Sequence, residues 1–258
     1  MTTSTNNCAC EHTFSTAKQD AERHAAAVKI SPQMQAAAYR LAYQDSDFMM
    51  RDELRHVRLQ LELLKADLAL NEHGIHATVV IFGSARVGEN HPYYPHAREL
   101  GALIAKSNRA LTVVTGGGGG IMEAANRGAF ENGGKNVGFN VVLPHEQMPN
   151  PYITPDLCFQ FHYFAIRKMH LLMRAKALVA FPGGFGTLDE LFEALTLVQT
   201  QKMRRIPIVL FGKAYWKKII NFNALVEEGM ICAKDLELIQ YAETAQQAWD
   251  LIANDLPA

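Results

Sequence analysis

Long charged runs, membrane-length apolar runs and the cysteines of a disulfide framework are all missing from this 258-residue chain, and each absence removes a class of function. Lys and Arg number 25 against 26 Asp and Glu, the net charge is −1, and no basic stretch accumulates. A protein held to nucleic acid or to an anionic membrane by charge is therefore not expected. Apolar stretches such as 78–82 and 206–211 fall far short of the roughly 20 residues that span a bilayer. The first residues, rich in Thr, Asn and Ser, carry no apolar signal core, so a cytoplasmic location is expected. Four cysteines, Cys8, Cys10, Cys158 and Cys232, are too few and too scattered for a disulfide framework, and reduced thiols are expected. Cys8-Ala9-Cys10-Glu11-His12 offers metal-ligand types, but they are crowded and no second cluster completes a coordination shell. A disordered terminus explains them better, and no metal is expected.

Two nucleotide fingerprints are missing as well. No Gly-x-x-x-x-Gly-Lys-[Ser/Thr] appears, which weighs against phosphoryl transfer from ATP. No clean Gly-x-Gly-x-x-Gly appears either: Gly83-x-Ala85-x-x-Gly88 only approximates it, and no acid after a second strand is placed to hold a dinucleotide ribose. No cofactor is expected.

With 48% hydrophobic and 20% charged residues, the chain can build one large α/β domain plus an appendage. Apolar, β-branched runs at 78–82, 110–115, 136–142, 177–181 and 206–211 alternate with helical patterns. That alternation predicts an α/β fold, a doubly wound parallel sheet of Rossmann-like type with an N-terminal helical extension. The expected division is a disordered segment 1–15, a helical arm 16–75 and a nucleotide-binding catalytic domain 76–258. In the arm, Ser31-Pro32 and Asp45 or Asp47 read as helix starts. Leu54, Val57, Leu61, Leu64 and Leu68 read as an amphipathic stripe ended by Asn71 and Gly74. Segment 143–158, with four prolines, reads as a long loop of the kind that joins a site.

Two glycine turns carry the chemistry. Phe181-Pro182-Gly183-Gly184-Phe185-Gly186-Thr187-Leu188-Asp189-Glu190 leaves a buried strand, and the helical spacing of Leu188, Leu191, Phe192, Leu195 and Val198 starts a helix near Gly186 or Thr187. The free N–H groups of such a helix start bind anions. A second copy of the device places Gly116, Gly117, Gly118, Gly119 and Gly120 between the run 110–115 and a helix opening at Ile121. Five side-chain-free residues are costly in backbone entropy unless the main chain must approach a ligand closely. A third turn, after 78–82, adds Ser84 and Arg86. In a parallel sheet all three turns fall on one edge.

Glu190 stands about one helical turn inside that edge and Thr187 at the first turn. A helix over 164–175 places Arg167, His170 and Arg174 on one face, with Arg167 and Lys168 able to neutralise an anion. An anion cradle beside a fixed carboxylate suits cleavage of a glycosidic bond in a phosphorylated sugar, where positive charge develops at the anomeric carbon.

Pro182-Gly183-Gly184-Phe185-Gly186-Thr187-Leu188-Asp189-Glu190 resembles the P-G-G-x-G-T-x-x-E signature of the Lonely guy (LOG) family of cytokinin riboside 5′-monophosphate phosphoribohydrolases. These are often mislabelled lysine decarboxylases. Thr115 to Gly128 is similar to the family's other glycine motif, with Gly119 where many long members carry proline, and Gly83-Ser84-Ala85-Arg86 to its first-strand turn. The resemblance runs from about residue 78 to about 225. It implies hydrolysis of a nucleoside 5′-monophosphate, AMP or an N6-modified AMP, to free base and ribose 5-phosphate. It implies a catalytic pair at Arg167 and Glu190, and substrate contacts at Lys168, Gly184 to Thr187, Thr196 and Glu146. Phe164-Ala165 stands where family members usually have Met-His, a departure that bears on base recognition. The resemblance further implies a homodimer that shares its site, with long-armed members assembling further. A carrier that binds a nucleotide-like cofactor without cleaving it is the alternative on the same fold. Decarboxylation of lysine is set aside, since nothing here supplies a pyridoxal phosphate lysine in a suitable context.

Overall fold

The run 78–82 becomes β1 (Thr78–Phe82), with all five residues buried, as an apolar strand between two helical layers requires. The computed structural model describes residues 14–144 and 148–256. Cys8, Cys10, His12 and most of the segment expected to be disordered lie outside the described residues, as does Glu146.

The chain clusters into two units, residues 1–58 and 59–258. In the first, α1 (Ala17–Ala26) starts on a capping box between Thr16 and Gln19. The short α2 (Pro32–Gln35) is capped by Ser31, and α3 (Ser46–Met49) by Asp45, as the polar residues before them predict. Arg58 Nη1 donates to the carbonyls of Met49 and Arg51 at 2.7 and 2.6 Å. Arg51 lies ahead of the next helix, α4 (Arg55–Glu72).

The second unit is a seven-stranded, all-parallel sheet in the order β4-β3-β2-β1-β5-β6-β7. The strands after β1 are β2 (Thr112–Thr115), β3 (Asn136–Val141), β4 (Cys158–Phe161), β5 (Ala175–Ala180), β6 (Ile208–Phe211) and β7 (Ile239–Ala242). Five match the expected runs. The other two are edge strands that sequence reading missed: each is four residues, partly exposed and interrupted by polar Gln160 or Gln240. Between the strands lie α5 (Tyr93–Lys106), α6 (Ile121–Glu131), α7 (Phe164–Met173), α8 (Phe185–Gln199), α9 (Lys213–Ile219) and α10 (Phe222–Glu227), and α11 (Ala245–Asp255) follows β7.

Alternating strand residues face opposite helical layers. Val80 and Phe82 join Ala66 and Leu70 of α4, Leu171 of α7 and Leu191 and Ala194 of α8. Val79 and Ile81 join Leu100 and Ile104 of α5, Ala124 and Ala125 of α6 and Ile252 of α11. One expectation fails here. Leu61, Leu64 and Leu68 of α4 are 50%, 53% and 50% exposed. The helix turns Leu63, Ala66 and Leu70 inward instead, a second stripe at the same spacing that the leucine-rich sequence could not separate from the first.

The order of connection places the site. From β1 the chain winds outward through β2, β3 and β4, then returns to lay β5 against the other side of β1. The adjacent turns after β1 and β5 open a crevice at this reversal, where doubly wound sheets bind ligands.

Candidate active site

The three turns meet through Ser84. Its N–H donates to the Pro182 carbonyl at 3.0 Å, and its own carbonyl accepts from Ile121 N–H at 3.1 Å, so one residue ties the β1 turn to both glycine loops. Its hydroxyl accepts from Arg86 N–H at 3.1 Å, a local turn bond, and the Arg86 side chain is exposed. Glycine is required sterically at two of these positions: a Cβ on Gly120 would meet the Ser84 carbonyl, and one on Gly117 the Asn140 amide. Both also have positive φ, +67° and +75°.

Among the described residues, the N–H groups of Gly118, Gly119 and Gly120 have no acceptor within the protein. Neither do those of Gly183, Gly184, Phe185, Gly186 and Thr187. Both sets lie at the same edge of the sheet and open α6 and α8, so the helix dipoles add to the pull on an anion. The Gly116 N–H likewise has no acceptor among the described residues. A Cβ on Gly116 would lie 2.5 Å from Arg167 Nη2, so glycine here leaves room for the guanidinium.

Arg167 and Glu190 are brought together beside these loops. Arg167 Nη1 stands 3.3 Å from Glu190 Oε1, and both side chains are nearly buried. Arg167 Nε donates to the Phe139 carbonyl at 2.6 Å, which fixes the guanidinium plane against β3. Burial pushes the Glu190 carboxyl up to about 7, with Arg167 pulling it back down. Burial also lowers the Arg167 guanidinium, which Glu190 opposes. A carboxyl poised near neutrality beside a fixed cation can hold or release a proton at physiological pH.

The remaining predicted residues divide. Thr187 is buried with its hydroxyl folded against Gly183, leaving its N–H for a ligand. Phe185 is 93% exposed at the mouth of the turn. Lys168 Nζ reaches Asp189 at 3.1 Å and Glu193 at 3.3 Å, so its charge is already matched. Burial lowers this ammonium, but the bonds to Asp189 and Glu193 outweigh that and raise it. Thr196 lies nine residues beyond Thr187 on α8, about 14 Å along the axis, and donates to the Phe192 carbonyl at 2.7 Å. Within one chain it is not brought to the glycine edge. His170 and Arg174 turn to α4 instead: His170 Nε2 lies 3.0 Å from the Leu63 carbonyl, and Arg174 pairs with Asp67 at 2.5 Å.

Sequence reading missed the residues beneath the loops. Tyr215 donates its hydroxyl to the Gly183 carbonyl at 2.6 Å. A buried group of Thr115, Asn126, Asn136, Asn140 and Asn150 underlies the five-glycine loop. Thr115 Oγ1 accepts from Gly117 N–H at 3.0 Å and donates to Asn126 Oδ1 at 2.7 Å. The signal available was asparagine at two positions of an otherwise apolar strand, where it is disfavoured.

A family model described as "Possible lysine decarboxylase" matches residues 122–252, half of the chain. The chain belongs to this family, the LOG family. Among curated relatives, cytokinin riboside 5′-monophosphate phosphoribohydrolase LOG1 of Arabidopsis thaliana is 29% identical over 66% of this chain and 79% of its own length. A solved structure named TM1055 is 25% identical, covers 69% of this chain and 99% of its own, and superposes with a TM-score of 0.51. The molybdenum cofactor binding protein of Rippkaea orientalis is 22% identical, with 69% and 96% coverage and a TM-score of 0.49. The matched residues 122–252 take in the glycine turn 182–190 and both members of the buried pair, Arg167 and Glu190.

Proposed function

We propose that this chain hydrolyses the N-glycosidic bond of a nucleoside 5′-monophosphate, AMP or an N6-modified AMP. The single observation that carries the reading is the buried Arg167–Glu190 pair, 3.3 Å apart, set beside two loops of unpaired N–H groups. The N–H groups of 183–187 hold the 5′-phosphate. As the bond from C1′ to the base nitrogen breaks, its electron pair leaves with the base and positive charge grows on the ribose. Glu190, ionised, stabilises that charge or orients the water whose oxygen bonds to C1′. Arg167 fixes the substrate or assists departure of the base, which takes up a proton as it leaves. The products are free base and ribose 5-phosphate. The names of the curated relatives agree with this chemistry.

Lysine decarboxylation, which the family description suggests, finds little support in the side chains. Lys168, the lysine beside the pair, is held protonated by Asp189 and Glu193 and so makes a poor Schiff-base nucleophile.

Incubation with AMP and N6-isopentenyl-AMP tests the reading. Release of base, lost by about 100-fold or more in Glu190→Ala with the fold intact, supports hydrolysis; tight binding without release points to a carrier, and full activity in Glu190→Ala refutes the assignment. The same reading includes a cytoplasmic location and a homodimer that shares its sites. A second copy would cover exposed apolar side chains such as Leu61, Leu64, Phe185 and Phe192. Light scattering of the full chain checks this, and a monomer at working concentration overturns it.

A further inference from the structure

We propose that Asn150, from the proline-rich segment after β3, is a positioning residue that aims the five-glycine loop at the ligand. The inference rests on the hydrolase reading above. Asn150 is buried and bonds the loop twice: its N–H donates to the Gly117 carbonyl at 2.9 Å and its Nδ2 to the Gly118 carbonyl at 3.0 Å. A trans peptide is planar, with C=O and the following N–H pointing in opposite directions. Turning the carbonyls of Gly117 and Gly118 inward to Asn150 therefore turns the N–H groups of Gly118 and Gly119 outward, and these are among the N–H groups that have no acceptor. Successive N–H groups held this way form an anion-binding concavity.

Asn150 is itself over-determined. Its Nδ2 also donates to Asn126 Oδ1 at 3.0 Å, and its Oδ1 accepts from Tyr152 N–H at 3.2 Å. Asn126 is anchored by Thr115 on one side and by Asn136 Oδ1, 2.8 Å from its Nδ2, on the other. Asn136 Nδ2 closes the group on the Tyr152 carbonyl at 3.0 Å. A glycine loop with no side chains cannot hold its own peptide planes, because Gly has the widest backbone freedom of any residue. Asn150 supplies that hold without touching the ligand, and it belongs to a segment that the glycine motif does not include.

The test compares Asn150→Ala and Asn150→Asp with Asn132→Ala. Asp keeps the shape, the backbone bond to Gly117 and the Tyr152 contact but has no side-chain amide to donate to Gly118, whereas Asn132 makes an unrelated bond to the Gly128 carbonyl at 2.8 Å. Calorimetric binding of ribose 5-phosphate and the kinetics of AMP cleavage are measured on the full chain. Both Asn150 variants are expected to weaken ribose 5-phosphate binding and raise KM by about tenfold or more, with kcat reduced less, and Asn132→Ala to stay within about twofold of the parent. Should Asn150→Ala not fold, Asn150→Asp carries the test alone. If the parent binds ribose 5-phosphate and cleaves AMP while both Asn150 variants match it, the positioning role is wrong and the hydrolase reading stands. If the parent neither binds nor cleaves, the hydrolase reading fails first and this inference with it.

Discussion

Glu190→Gln should make the stability of this protein less dependent on pH, in a direction the buried site dictates. The Glu190 carboxyl is raised from 4.5 to about 7, chiefly by burial. Below pH 4.5 the folded and unfolded chains both hold the proton. Between 4.5 and 7 the unfolded chain releases it while the folded chain keeps it, so stability falls as pH rises, and above 7 the loss is complete. A tenfold difference in proton affinity between the two states is worth about 1.4 kcal/mol, so between pH 5 and pH 8 this one group should remove about 2 to 3 kcal/mol. Gln has nearly the same shape and no proton to lose. Urea unfolding at pH 5 and pH 8, followed by the fluorescence of Trp216 and Trp249, reports on the unit 59–258 that contains the site. The difference in stability between parent and variant should shrink or reverse by that amount on going to pH 8. Parallel pH dependences would show that Glu190 is not held near neutrality by burial, and the reasoning about its proton would fail with it.

Tyr215→Phe removes the hydroxyl that holds the Gly183 carbonyl; a loss of about 1 kcal/mol in urea unfolding is expected, with KM for AMP raised more than kcat is lowered. Gly128→Ala would drive a methyl into the Arg98 carbonyl where α6 crosses α5. Overpacking of this kind costs about 1 to 3 kcal/mol, so the melting temperature should fall while kcat of the folded fraction is unchanged. Leu70→Ala, in the core beneath the sheet, should cost about 2 to 5 kcal/mol. Leu64→Ala, on the half-exposed side of the same helix, should cost less than about 1 kcal/mol in unfolding and show its effect in self-association instead.

Much of the fold was legible because parallel strands buried on both faces must be apolar throughout. The runs that became β1, β2, β3, β5 and β6 have few alternative readings in a soluble chain. The edge strands β4 and β7 escaped because a strand with one neighbour needs less apolar surface, and Gln160 and Gln240 break the pattern. The inward face of α4 escaped for a different reason. Leucines recur there at helical spacing on two sides, and only the sheet beneath selects Ala66 and Leu70 over Leu64 and Leu68.

Local sequence determined the two glycine turns, the helices they open and the presence of an acid one turn inside α8, since turn geometry and helix start depend only on neighbouring residues. That both turns reach the same edge followed from the parallel pairing of the strands. Apart from the family resemblance, which already pointed to Arg167, only the tertiary structure decided which cation meets Glu190. Arg167 and Lys168 are adjacent in the chain, yet the hundred-degree step between helical neighbours sends one to Glu190 and the Phe139 carbonyl and the other to Asp189 and Glu193. The asparagine network was likewise invisible, because a buried amide is defined by partners distant in sequence: Asn150 acquires its role from Gly117 and Gly118, more than thirty residues away.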